Sequence, residues 1–209
     1  MSGAVDTTSH AIARLGMLGG AFDPPHCAHA ALAQAAIDQL KLDQLRVIPT
    51  GQAWHKARAL TPATNRLAMC KLGFAGLDRA VVDPRETLRT GATYTFDTLS
   101  ELRLEFPKAQ LFLVLGEDQA RAFTTWHRWE AIAKLAIICV AARADESGAT
   151  AGFSSEFAPT PPFQRLELPL LHVSATVIRQ RVASHKSISP LVFDSVARYI
   201  EQHHLYLTT

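Results

Sequence analysis

The sequence is short of cysteine, of long apolar runs and of charge of either sign, and each shortage excludes something. Its three cysteines, Cys27, Cys70 and Cys139, are widely spaced. They form neither a disulfide framework nor a CxxC zinc site, and they fit a reducing compartment. The apolar run Ala136 to Ala142, even with Leu135 before it, is far below the roughly 20 residues that span a bilayer. Met1 to Arg14 carries Asp6 and His10 where a signal peptide needs an unbroken apolar core. Lys+Arg 21 against Asp+Glu 19 gives a net charge of +2, too little for a nucleic-acid groove. The expectation is a soluble cytoplasmic protein with neither a membrane nor a nucleic acid as partner.

What is present is a chain of 209 residues, 48% hydrophobic, long enough to bury one sizeable core. A single domain is expected over residues 1–209, structured from about 15 to 206. Leu15–Leu18, Leu45–Pro49, Ala80–Asp83, Leu111–Leu115 and Leu135–Val140 read as strands. They lack polar alternation, which suits a parallel sheet covered on both faces. Helical patterns occupy Ala28–Leu40, Thr64–Leu77, Thr95–Phe106, Trp129–Ala133, Ser174–Ser184 and Pro190–His203. This alternation predicts an α/β fold: a Rossmann-like doubly wound parallel sheet with helices on both faces and a C-terminal helical segment. The last two helices are expected to pack back on the sheet. Residues 144–165, rich in Ala, Ser, Gly and Pro, read as a loop or insert.

The first strand runs into Gly19-Gly20-Ala21-Phe22-Asp23-Pro24-Pro25-His26-Cys27-Ala28-His29. Glycines allow a tight turn and close approach of a ligand, and the following helix start offers free N–H groups to an anion. His26 and His29 fall on one helix face, toward that anion. A plain turn, a capped helix start or half a metal site would use the same residues, although no third metal ligand is evident. At the other end, Ser174 reads as an N-cap, with Thr176 and Arg179 in the first turns behind it. Leu115-Gly116-Glu117-Asp118 closes a strand, where Asp118 could equally cap a helix.

These segments resemble the signatures of the nucleotidyltransferase superfamily. The first is similar to GG-T-F-D-P-x-H-x-G-H, with Ala21 in place of Thr and Ala28 in place of Gly. Val173-Ser174-Ala175-Thr176-Val177-Ile178-Arg179 is similar to S-x-T-x-x-R, about 145 residues further on. Glu86 to Leu99 resembles E-x-x-R-x-G-x-S-Y-T-x-D-T-L, and Phe123 to Trp129 resembles F-x-x-W-x-x-W. Together they point to the bacterial nicotinate-nucleotide adenylyltransferases.

The resemblance implies adenylyl transfer from ATP to nicotinate mononucleotide, giving deamido-NAD and pyrophosphate in NAD biosynthesis. It implies that His29, His26 and Arg179 are catalytic. ATP would lie against Gly19, Gly20, Ala21, Phe22, Gly116, Asp118, Ser174, Thr176 and Arg179. The mononucleotide would meet Tyr94, Thr95, Trp126, His127 and Lys56, its pyridine stacked between Tyr94 and Trp126 and its carboxylate on amides near Thr95 and His127. Mg²⁺ would accompany ATP, with no metal site built by the chain. Trp129 is assigned to the core, and the Ala28 methyl is expected to crowd the nucleotide. Two alternatives share the signatures: a transferase with another acceptor, such as phosphopantetheine, and a nucleotide-binding regulatory module without turnover. A class I aminoacyl-tRNA synthetase fits poorly, since the chain has no K-M-S-K-S-like loop.

Overall fold

The computed structural model describes residues 11–51, 59–143, 163–169, 171 and 173–207. Six strands form one sheet: β1 Arg14–Gly20, β2 Gln44–Pro49, β3 Ala80–Val82, β4 Gln110–Gly116, β5 Ile137–Arg143 and β6 Gln164–Leu168. Their order is β3-β2-β1-β4-β5-β6, and every neighbouring pair is parallel. Continuous apolar runs suit these positions because both faces are covered. Leu111 to Leu115 are all buried, and so are Leu45, Val47 and Ile48.

The helices are α1 Cys27–Gln39, α2 Ala63–Gly73, α3 Arg85–Leu88, α4 Thr95–Glu105, α5 Glu117–Arg121, α6 Trp129–Leu135, α7 Ala175–Ala183 and α8 Asp194–Gln202. A 3₁₀ turn, Phe123–Thr125, lies between α5 and α6. On one face of the sheet, Leu32, Ala33, Ala36 and Ile37 of α1 and Cys70 of α2 pack against Leu18, Val47 and Val114. On the other, Leu99 and Leu102 of α4, Ala120 of α5 and Ile132 of α6 pack against Leu15, Met17, Leu113 and Ile138. Strand order reverses between β1 and β4, so the connections leaving these strands part to opposite faces. That divergence leaves a crevice beyond their C-terminal ends.

Several sequence expectations are corrected. The two C-terminal helices do not pack on the sheet. Ile178 of α7 and Val196 and Ile200 of α8 form a separate cluster with Met69 of α2, Ile188 and Val192. The sheet faces are already occupied, and α2 offers a second apolar side at Met69, about 100° around the helix from Cys70. Strand β6 begins at Gln164, inside the stretch read as a loop; residues 144–162 lie outside the described residues. As an edge strand it buries Leu166 alone while Gln164 and Arg165 stay exposed, so it carries little periodic signal. The Gln39 carboxamide holds its backbone, donating to the Glu167 carbonyl at 2.8 Å and accepting from its N–H at 2.9 Å. Leu135 ends α6 instead of opening β5. Helix α2 stops at Gly73, short of Leu77, and α8 starts at Asp194, four residues after Pro190.

Candidate functional site

Strand β1 ends by turning away from its ladder. The Gly20 carbonyl still accepts from Thr50 N–H at 2.8 Å, extending the pairing with β2. The next residues leave the sheet: Phe22 takes φ 46°, in the left-handed region, and its ring folds back over Gly20, whose missing side chain makes room. His26, extended at φ −145° and ψ 172°, then caps α1.

His26 and His29 form one unit. The backbone N–H of His26 donates to Nδ1 of His29 at 3.2 Å, and their rings stack with centroids 3.7 Å apart. The Phe22 ring meets His29 edge-on at 4.9 Å. An accepting Nδ1 leaves the proton of neutral His29 on Nε2. Burial lowers the pKa of His26 to about 4, and burial together with the neighbouring His26 holds His29 well below its ordinary 6.5. Both rings are therefore neutral at pH 7. The positive end of α1 favours an anion at the same place.

Arg179, on α7, reaches the same loop across 156 residues of sequence. Its Nη1 donates to the Asp23 carbonyl at 2.8 Å and its Nη2 to Thr176 Oγ1 at 3.1 Å. A cleft of about 580 Å³ is lined by Gly19 to Asp23, His26, His29, Gly116 to Gln119, Thr176 and Arg179, among others. The structure thus brings together all but one of the residues expected to meet ATP. Ser174 is the exception. Its hydroxyl accepts from Val177 N–H at 3.3 Å as the N-cap of α7, and it does not line the cleft.

A second cleft, of about 470 Å³, adjoins the first. It is lined by Met17, Thr50, Glu86, Thr93, Tyr94, Thr95, Thr125, Trp126 and His127, and it shares Gly19, Gly20, Ala21, Asp118 and Gln119 with its neighbour. Thr95 is the first residue of α4, where a helical amide has no partner within its own helix. The Tyr94 ring lies 4.5 Å from His127, and Trp126 leans on Phe123 at 5.7 Å. Trp126 and Trp129 do not share a helix. Trp126 has extended backbone between the 3₁₀ turn and α6, so it borders the cleft while Trp129 packs on Phe123 at 6.1 Å. Lys56 lies outside the described residues.

Sequence reasoning assigned no role to three buried polar groups that shape these clefts. Glu86, 6% exposed, accepts from Thr98 Oγ1 at 2.8 Å, and Arg89 Nη1 in turn donates to that hydroxyl at 2.8 Å. Burial pushes the Glu86 carboxyl above its usual range, against the pull of Thr98 and Arg89. Gly51 admits this arrangement, since a Cβ there would stand 2.0 Å from the Glu86 carbonyl oxygen. Asp23 accepts from Tyr206 Oη at 2.7 Å and from Thr61 N–H at 3.2 Å. Arg66 is the third. Glu86 and Asp23 had a signal, their places in the motif that ends at Leu99 and in the Gly-rich one; Arg66 had none.

Residues 17–181 match the cytidylyltransferase-like family model. A protein of Albidiferax ferrireducens called a probable nicotinate-nucleotide adenylyltransferase is 57% identical over 195 residues, 93% of this chain and 98% of that one. This chain belongs to the nicotinate-nucleotide adenylyltransferase family. A family member from Methylibium petroleiphilum, also called probable, is 41% identical, with 92% of each chain covered. The fold agrees with a solved structure of Plasmodium falciparum nicotinic acid mononucleotide adenylyltransferase complexed with NaAD. The TM-score is 0.78 at 16% identity, covering 94% of this chain and 98% of that one. Among the described residues no helix is long and apolar enough to cross a membrane.

Proposed function

We propose that this member of the family transfers the adenylyl group of ATP to nicotinate mononucleotide, with the triphosphate in the histidine-lined cleft and the pyridine in the aromatic one. The observation that carries this reading is the wall the two clefts share. Gly19, Gly20, Ala21, Asp118 and Gln119 border both, so substrates filling them would meet at the C-terminal ends of β1 and β4. The mononucleotide's phosphate oxygen attacks the α-phosphorus of ATP in line. A new P–O bond forms as the bond to the bridging oxygen breaks, and pyrophosphate departs with the electron pair. No protein nucleophile is required.

The chain's contribution is positioning and electrostatics. His29, neutral, donates from Nε2 to a phosphate oxygen, and stacked His26 fixes its ring plane. Arg179 supplies a planar fork for the outer phosphates while its contact with the Asp23 carbonyl keeps it on the loop. The Asp118 carboxylate accepts from ribose hydroxyls. Tyr94, His127 and Trp126 flank the pyridine, and amides near Thr95 and His127 receive its carboxylate. Mg²⁺ suits a cleft whose nearby acids are few, because it prefers phosphate oxygens and water to a protein cage. When bound it offsets phosphate charge; Asp118 is the acidic group lining both clefts.

The test is pyrophosphate release from ATP with a panel of acceptors. Turnover should depend on nicotinate mononucleotide, fall with nicotinamide mononucleotide and be absent with phosphopantetheine. ATP binding without turnover on any acceptor would overturn the enzymatic reading.

A further inference from the structure

Arg66 sits on α2 with 1% of its surface exposed. Its guanidinium is spent on backbone: Nε donates to the Thr61 carbonyl at 2.9 Å, Nη1 to the Ala21 carbonyl at 2.9 Å and Nη2 to the Gly51 carbonyl at 3.2 Å. Burying such a cation is costly, and an apolar side chain of similar volume usually serves stability as well or better. The fork therefore has another use. Asp23, itself buried, supplies an opposing charge and takes the N–H of Thr61, whose carbonyl Arg66 holds.

The three carbonyls belong to the Gly-rich loop, the end of β2 and the approach to α2. Ala21 borders both clefts. Its peptide to Phe22 is not one of the cis bonds, so its C=O and N–H point in opposite directions. Drawing the Ala21 carbonyl toward α2 turns the Phe22 amide to the other side of the loop. The left-handed Phe22 backbone is the kind of turn in which successive amides converge on an anion.

We propose that Arg66 is a positioning residue for adenylyl transfer: its three-carbonyl grip fixes the Ala21–Phe22 peptide plane so that the Phe22 amide faces the phosphates of ATP. This rests on the reading of the reaction given above. Arg66 touches no substrate and acts through the loop.

The test compares wild-type protein with Arg66→Lys and Arg66→Gln, measuring melting temperature, ATP binding, and kcat and KM for pyrophosphate release. Lysine keeps the charge but cannot present the planar fork. Misplacement of the reacting groups by about 1 Å costs about 10²-fold, so kcat of a folded Arg66→Lys should fall by roughly that factor. The KM of the mononucleotide should stay near its wild-type value. Arg66→Gln should be slower still. A lowered melting temperature with unchanged kcat would make Arg66 purely structural and overturn the proposal. If neither variant folds, isotope-labelled wild-type protein is titrated with a non-hydrolysable ATP analogue. The Phe22 amide resonance should shift and its exchange slow; an indifferent Phe22 amide overturns the proposal. Wild-type protein that releases no pyrophosphate would sink the reading of the reaction instead, and the Phe22 titration would still judge Arg66.

Discussion

The N–H of His26 donates to Nδ1 of His29 at 3.2 Å, so the backbone of one histidine sets the tautomer of the other. The pair is more than two cations near a triphosphate. Both rings are neutral, and His29 offers a single directed donor, Nε2–H. Such a donor assists most where charge grows, on the oxygen that bridges to departing pyrophosphate.

His29→Ala should therefore fold normally and bind ATP within several-fold of wild type. Removing one donor aimed at transition-state charge typically costs roughly 10²–10³ in kcat, about 2.7–4 kcal/mol. Steady-state kinetics with direct ATP titration checks this. A loss confined to ATP affinity would reduce His29 to a binding contact.

Stability should fall on the acid side. Unfolded His26 takes up a proton near 6.5, whereas the folded protein resists until about 4 because burial disfavours the charged ring. Below 6.5 the unfolded state binds more protons, so stability is lost as pH drops from 6.5 toward 4. His29 adds to the slope in the same direction. Melting temperatures from pH 8 downward should show this slope, and His26→Gln should flatten it. An unchanged slope in that variant would contradict the burial argument.

The aromatic cleft should choose the acid over the amide. An amide donor set against inward-facing N–H groups leaves buried donors unpaired, at about 1–3 kcal/mol, so the acid mononucleotide should be favoured tenfold or more in kcat/KM. Trp126→Ala should raise the mononucleotide's KM far more than that of ATP. The Tyr94 ring lies 4.5 Å from His127, and both line this cleft. His127→Ala should thus alter the mononucleotide's KM as well. Equal kcat/KM for acid and amide would remove the carboxylate contact.

Ala28→Gly should matter less than the sequence suggests. Ala28 is the second residue of α1 and lines neither cleft, so its methyl is not set against the nucleotide there. The KM for ATP should barely move, while stability falls by up to about 1 kcal/mol from the glycine. A marked gain in ATP affinity would restore the crowding argument.

The sequence alone determined the parallel sheet, since runs such as Leu111–Leu115 carry no polar alternation and must be buried on both faces. It placed both signatures at helix starts, because the signals there are local: glycines after a strand, a capping Ser174, histidines one turn apart. It did not find β6, whose single buried residue, Leu166, gives no period. Nor could it send α8 to α2 instead of to the sheet, because an apolar pair such as Val196 and Ile200 does not name its partner. The site divides in the same way. The residues of the phosphate cleft were legible because they cluster in short motifs. The grip of Arg66 on Ala21, Tyr206 on Asp23, and Arg179 on the Asp23 carbonyl were not, since these contacts span 45, 183 and 156 residues. A backbone carbonyl leaves no mark on the side-chain sequence. Which guanidinium meets it, and which hydroxyl meets the Asp23 carboxylate, is decided only when the sheet, α2 and the C-terminal helices close around the loop.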